Sequence, residues 1–438
     1  MKSKTAIQLA FLIGLGAVTQ VYLYGCIGIS ELVMFLVAPV ILCKDLTKLK
    51  RDGFGIVLVM LLFVMFGCLL SSWLNKSPIV FVIKSFAQLY STFAAIIIFH
   101  RLFRANPRSL GWFFLGSAIS EIIAIFVFHP VDDVHTGITA PATIADITGG
   151  VLFWSAKVRN FAILPIILSY LRIPLIYSVV APLGIAIFAM FASASGRAIA
   201  LTGMCASGIM AIGGKTRRRM AWIGRHLLLL MIGGVVIVAI FRMVYKYSAS
   251  SGMLGEEAYN KYRQQSAMGE SSLRILMSGR KEFFLSLPAC IDHPILGLGP
   301  KCEDNGNYVY DFLSKYGTND EFAYYVRTAY TQGYRGLPCH SHITSFWLWF
   351  GLPGLIYWLY IIYLIYYWFR RCTSAVPQWF GYFAFMIPKL FWDMFFTPYN
   401  SRIGWGVMIA ALLMARLIAN GKMSLPYDMI IEAQKHEN

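Results

Sequence analysis

Charge is what this sequence has least of. Only 13% of its 438 residues are charged, against 58% hydrophobic, whereas a soluble domain carries about 25% charged residues. That scarcity excludes an ordinary water-soluble globule. Acids are the scarcer sign, 21 against 38 bases, giving a net charge of +17. In a soluble chain such an excess points to nucleic acid. Here most of it lies in short connections between apolar runs, where it orients the chain and attracts anionic lipid. Membrane lipid is therefore the expected partner, and nucleic acid is not. The eight cysteines never fall in CxxC spacing, which removes the usual zinc and dithiol motifs. The first apolar run, Ala6 to Tyr24, lacks a small-residue cleavage site and leads at once into a second run, so it reads as a span rather than a leader.

What is present is a succession of apolar runs long enough to cross a hydrocarbon core of roughly 30 Å. About twelve spans fit the hydropathy, the first nine near 6–25, 27–43, 54–73, 79–99, 109–129, 148–171, 173–194, 198–213 and 226–246. The remaining three fall near 343–369, 378–397 and 403–419. The expected fold is thus an all-α polytopic membrane protein. Residues 1–246 carry nine spans, 247–342 a cap, 343–419 three more spans, and 420–438 a tail. Basic stretches such as "KDLTKLKR", "HRLFRANPR", "KTRRRMAWIGR" and Arg370–Arg371 fall on alternate connections. The positive-inside rule then puts both termini in the cytoplasm. The segment from Tyr247 to Cys339 is far longer than the usual connection of a few residues and holds helix-like stretches, so it is expected to fold as an external, mostly helical cap. Its three cysteines, Cys290, Cys302 and Cys339, leave room for one disulfide and one odd thiol.

Candidate chemistry gathers at the external side. Arg197, in "FASASGRAIALTG", is a basic residue on the side that topology keeps poor in bases. It reads either as a helix-capping, snorkelling arginine or as an anion clamp, since a guanidinium offers a rigid fork of donors to phosphate oxygens. Arg274, Arg280 and Lys281, in "LRILMSGRKEFF", form either a solvated face or part of the same clamp. "IDHPILGLGP" carries two glycines beside a proline, a turn that lets the backbone approach something closely. His340 and His342 open the aromatic stretch "HSHITSFWLWFGLPGLIYWLYIIYLIYYWFRR". Two residues apart, they do not share a helix face, which disfavours a shared metal. They read as interfacial anchors or as a base that takes a proton near neutral pH. Asp393, an ionisable group inside a span, is expected to pair with Arg197 or Arg402 or to orient His340. Glu31 and Glu121 suggest interhelical pairing, and "EDN" at 303–305 reads as solvated loop. Tyr308, Tyr324 and Tyr330 are candidate platforms for sugar rings.

Four pieces in this order resemble the O-antigen ligase and O-antigen polymerase superfamily of bacterial envelope glycosyltransferases. They are "SGRAIALTG" after a span, "SGRKEFF" early in the large loop, "DHPILGLGP", and "HSHITSFWLWFGLPG" leading into a span. The resemblance implies a GT-C-like membrane fold in the bacterial inner membrane. It implies an undecaprenyl-diphosphate-linked glycan as donor, and a lipid A core or a second lipid-linked glycan as acceptor. Residue by residue, Arg197 and Arg280 would hold the diphosphate and His340 would be the base. The chain departs from the pattern in a longer, tyrosine-rich stretch from Lys301 to Pro338 and in Trp349 ahead of the glycine. Both departures bear on the acceptor.

The external segments show no DxD pair, so no metal or other cofactor is expected, and guanidinium groups would offset the charge that develops on the leaving diphosphate. No carboxylate stands out as a nucleophile, which favours a single inverting displacement. A lipid-linked-oligosaccharide flippase or other polysaccharide transporter is the alternative, and it would place its ionisable groups at mid-membrane and repeat one half in the other. No such repeat is visible.

Overall fold

The computed structural model describes residues 1–18, 20–22, 26–127, 196–213, 281–316, 336–372, 379–397 and 402–424, with a few isolated positions between them. Among these the chain is mostly helical. The plainest span is an uncharged run whose mean hydropathy of 2.7 leaves it nowhere stable but in lipid or core, Phe54–Leu74 (α3). Its Val57, Leu61, Val64 and Cys68 are buried, while Val59, Phe63 and Phe66 stay exposed on the other side. An apolar helix with a second apolar face left uncovered is what a lipid-facing position requires. Ile79–Ala105 (α4) and Leu352–Cys372 are the other two stretches long and apolar enough to cross a membrane. The protein is a membrane protein on this ground.

Around these stand Ser3–Val18 (α1), Ile29–Arg51 (α2), Ser109–Val127 (α5) and Gly196–Gly213 (α6). Later in the chain come Lys281–Asp292 (α7), Tyr308–Tyr316 (α8), His342–Phe350 (α9) and Leu352–Tyr367 (α10). Phe380–Phe396 (α11) and Arg402–Ala419 (α12) complete the set. A two-stranded antiparallel hairpin, Gln20–Tyr22 (β1) with Cys26–Gly28 (β2), joins α1 to α2. The expected spans 148–171, 173–194 and 226–246 lie outside the described residues.

Helix α4 is the hub, packed by α2, α3 and α12. A side chain on Gly406 of α12 would meet Ala95 Cβ at 2.4 Å and the Thr92 carbonyl oxygen at 2.8 Å. Small residues here let two helices approach to backbone contact, the usual substitute for hydrophobic drive inside lipid. Gly14 and Gly116 do the same between α1 and α5.

One end of the bundle is basic. Asp52, between α2 and α3, takes His100 Nε2 at 2.8 Å and the Arg104 guanidinium from α4. Burial pushes the Asp52 carboxyl up, but these two hydrogen bonds and the charges behind them outweigh it and hold it below its ordinary value. Asn106 Nδ2 donates to Ser3 Oγ at 2.7 Å, and Trp379 Nε1 to the Pro107 carbonyl at 3.1 Å, so the starts of α1 and α11 lie at this end too. Helix α2 reaches this end as helix, through Arg51, where the sequence suggested a break after residue 43. The charges that suggested a loop are paired instead: Asp45 holds Lys48 at 2.9 Å and Arg101 at 3.5 Å, and the bases of the last turn favour the helix dipole. Glu31, in the first turn of the same helix, accepts the Gly28 amide at 2.9 Å.

The largest departure from expectation is at Gly351. The apolar run 343–369 is two helices, α9 and α10, folded back on one another. Phe346 stacks on Tyr357 at 5.8 Å and His342 lies 5.2 Å from Trp358, contacts a straight helix would hold roughly 17 Å or more apart at 1.5 Å per residue. Gly351 makes the fold-back with φ 72° and ψ −155°, a conformation essentially reserved for glycine. The "DHPILGLGP" loop seals the break. The amides of Leu298 and Gly299 donate to the carbonyls of Leu348 and Trp349 at 2.6 and 3.2 Å, and Leu352 donates to Ile295 at 3.0 Å. Asn75 Nδ2, just past the end of α3, donates to the Gly297 carbonyl at 3.3 Å. This marks the end of the bundle opposite the basic one.

Beside the loop sits a small second core of Leu285, Cys290, Cys302, Val309, Leu337 and Cys339. The three thiols are free and buried. Burial, then the charge of the neighbouring Cys302, pushes Cys290 up to about 12; burial does the same to Cys302 and drives Cys339 well above its ordinary value. Asp304 was expected in solvated loop, yet it is buried, its carboxylate accepting the amides of Tyr308 and Val309 at 2.8 and 2.9 Å and capping α8.

Gly351→Ala is expected to lower the thermal stability of the detergent-solubilised protein sharply. It adds about 1–3 kcal/mol of backbone strain to a Cβ placed 2.0 Å from the Ile295 carbonyl oxygen. Gly208→Ala, a helical site with nothing within 4 Å, is the control and should gain about 0.5–1 kcal/mol. Cys290, Cys302 and Cys339 are expected to resist a water-soluble maleimide at pH 8, since a thiol of pKa about 12 is only about one part in ten thousand thiolate there. Mass spectrometry should find them modified only after denaturation.

Candidate functional site

Ser341 fixes the local geometry. It is the N-cap of α9, its hydroxyl accepting the Thr344 amide at 3.2 Å and donating to the Met394 carbonyl near the end of α11 at 2.8 Å. The two flanking histidines then point to different environments. His342 is 1% exposed and boxed by Trp358, Tyr399 and Trp405, with ring centroids at 5.2, 5.2 and 4.9 Å. It is a core residue of the bundle. His340 is the opposite case, with 55% of its side chain exposed.

The pair stands away from the end of the bundle that the "DHPILGLGP" loop seals. Met394 lies fourteen residues along α11 from Phe380, which is about 21 Å from the basic end. Tyr399, beside His342, shares a hydrogen bond with Thr92, at the midpoint of α4. Because α9 doubles back from Gly351, it carries its own N-terminus down into the bundle. The histidines lie below the capped end by about the length of α9, roughly 13 Å.

The side chain that meets His340 was not among those singled out in the sequence. Glu282 Oε1, in the first turn of α7, lies 3.6 Å from His340 Nδ1 and is 24% exposed. An acid in the first turn of a helix is common for reasons of the helix dipole alone, which concealed it. Its signal was positional, two residues after Arg280 in a quoted motif. The first turn of α7 is anchored by Phe283, whose ring is 6.1 and 6.3 Å from those of Phe395 and Phe396 at the end of α11. Further along, Trp347 Nε1 donates to the Pro294 carbonyl at 3.0 Å, and Cys290 Sγ approaches the Thr344 carbonyl at 3.6 Å. Thus α7 is tied to both α9 and α11.

The remaining nominated residues divide as follows. Arg197 is the second residue of α6, a helix that packs along α11; its side chain lies outside the described residues. Lys281 and Arg402 begin α7 and α12, again with side chains outside the description. Arg274 and Arg280 lie outside it altogether, although Arg280 directly precedes α7. Asp393 is buried, and its carboxylate is held by Lys389 one turn earlier on α11; the side chains of Arg197 and Arg402, its expected partners, lie outside the described residues. Tyr308 donates its hydroxyl to Asp292 at 2.7 Å; burial and this bond to a carboxylate push its pKa up to about 12. Tyr324, Tyr330 and the side chain of Glu121 lie outside the described residues.

Chemically, the arrangement is a half-exposed imidazole backed by a carboxylate, recessed into a lipid-embedded bundle, with basic residues next in sequence to the backing acid. Such a centre can accept a proton from a hydroxyl beside an anionic group. Compared with known proteins, the chain matches no family model and no curated protein.

Proposed function

We propose that the chain is a membrane glycosyltransferase of the O-antigen ligase or polymerase type. It moves a glycan from an undecaprenyl-diphosphate carrier to an acceptor sugar hydroxyl at the periplasmic face of a bacterial inner membrane, within a GT-C-like bundle of about twelve spans. The observation that carries this reading is the contact between His340 and Glu282. It brings "HSHITSFW" against the start of "KEFF", segments nearly sixty residues apart in sequence, next to Arg280. The docking of "DHPILGLGP" onto the α9–α10 break adds a third motif to the same unit.

In this reading His340 takes the proton of the acceptor hydroxyl while its oxygen attacks the anomeric carbon. The bond from that carbon to the diphosphate breaks, and the electron pair leaves on the carrier. Arg197 and Arg280 offset the charge that develops there, with Arg274, Lys281 and Arg402 in support. Recession below the capped end suits a donor whose lipid chain stays in the outer leaflet. The acceptor is a lipid A core sugar for a ligase and a second lipid-linked glycan for a polymerase.

A transporter reading has one observation in its favour, the Lys389–Asp393 pair inside a span. Transfer assays with purified protein and a lipid-diphosphate glycan decide between them. His340→Ala is expected to cut turnover by about 10²–10⁴-fold, and Arg197→Ala and Arg280→Ala to abolish it, with membrane insertion unchanged. Near wild-type turnover in any of the three overturns the assignment of that residue, and absence of transfer in the wild type overturns the enzyme. Activity that persists with a strong chelator supports metal-free transfer; collapse that magnesium or manganese reverses removes it. A deletion strain separates the acceptors: single repeats on the core mark a polymerase, bare core with carrier-linked polymer a ligase.

A further inference from the structure

We propose that Glu282 is a positioning residue for His340, fixing which imidazole nitrogen faces the acceptor; the proposal rests on His340 as the base of the reading above. The geometry is asymmetric. Glu282 lies against Nδ1, at 3.6 Å, so Nε2 is the nitrogen not engaged by that carboxylate. A neutral imidazole carries one proton, and a carboxylate beside Nδ1 holds that proton there. Nε2 then presents its lone pair. When the acceptor hydroxyl gives its proton to Nε2, the ring becomes a cation 3.6 Å or less from a carboxylate, which stabilises it as it forms.

The contact exceeds the 2.7–3.2 Å of a formed N–H···O bond. Catalytic contacts of this kind commonly tighten when substrate binds. Closure is available here because His340 is half exposed, while Glu282 stands on a helix pinned by Phe283, Cys290 and the Pro294–Trp347 bond. Among the described residues near Ser341, the carboxylate of Asp393 is engaged by Lys389. A role confined to stabilising the first turn of α7 would need no imidazole within reach.

Two measurements separate these roles. The first is nitrogen NMR of histidine-labelled protein in lipid nanodiscs, with the His340 signals assigned by their loss in His340→Gln. In the wild type the neutral ring is expected to carry its proton on Nδ1, and in Glu282→Gln to shift it toward Nε2. An unchanged tautomer overturns the proposal. The second is steady-state transfer. Glu282→Gln is expected to lower kcat by about 10- to 100-fold, less than loss of the base itself, with donor KM within about twofold and thermal stability unchanged. In the His340→Ala background the same substitution should cost less than about twofold, because a positioning group has nothing left to position. An equal penalty in both backgrounds, or wild-type kcat in Glu282→Gln, overturns it. Should His340→Ala keep its turnover, the glycosyl-transfer role of His340 falls, and the tautomer measurement still reports whether Glu282 sets the ring.

Discussion

Two backbone hydrogen bonds carry most of this architecture. A helix that ends inside or beside lipid leaves its last carbonyls without partners, each costing several kcal/mol in a medium that offers no water. At the last turn of α9 the amides of Leu298 and Gly299, from the "DHPILGLGP" loop, meet the carbonyls of Leu348 and Trp349. The same loop could not come so close with side chains in the way: a Cβ on Gly297 would stand 2.5 Å from the Leu348 oxygen. The loop therefore completes the helical bundle as a structural part of it. With the turn sealed, α9 can lie beside α10 and carry its N-terminus toward the centre of the bundle.

That placement decides what each histidine can do. Ser341, bonded to Met394, holds the segment at one depth and one rotation. His342 then turns into an aromatic box that excludes water, and His340 turns out to the space beside α7. Two residues of the same type, two positions apart, take opposite roles because His340 precedes the extended N-cap Ser341 while His342 is the first residue of α9, not because their intrinsic chemistry differs. The basic end of the bundle contributes differently. Asp52, His100 and Arg104 tie α2, α3 and α4 into one unit far from this region.

Much of this was legible in the sequence where one signal dominated. α3, α4, α11 and α12 stand within a few residues of the apolar runs that announced them, because unbroken hydropathy over twenty residues has one stable outcome. The glycine pair of "DHPILGLGP" announced a close backbone approach, and it is one. Gly351 was also in view, within "FGLPG", but hydropathy could not show that the chain reverses there, since both halves are equally apolar. Charge misled in both directions. Lys44 to Arg51 looked like a connection and is helix, because Asp45 pairs with its neighbours. Asp304 looked solvated and is a buried cap. Glu282 was passed over because the acid that fits a helix start and the acid that fits an imidazole are the same residue.

Asp393 shows how a pairing choice propagates. A carboxylate in a span must be neutralised, and the sequence offered arginines on other helices and the histidine at the mouth. Lys389, one turn earlier on α11, holds it, and a pair within one helix needs no conformational search. By holding Asp393, Lys389 removes the one buried acid close in sequence to Met394, where Ser341 is anchored. His340 is left facing a carboxylate that is partly exposed and fixed from the opposite side by α7. Standing 3.6 Å from Nδ1, that carboxylate is close enough to stabilise a charge that forms on the ring. The two acids thus divide, Asp393 held within its own helix and Glu282 set against the imidazole.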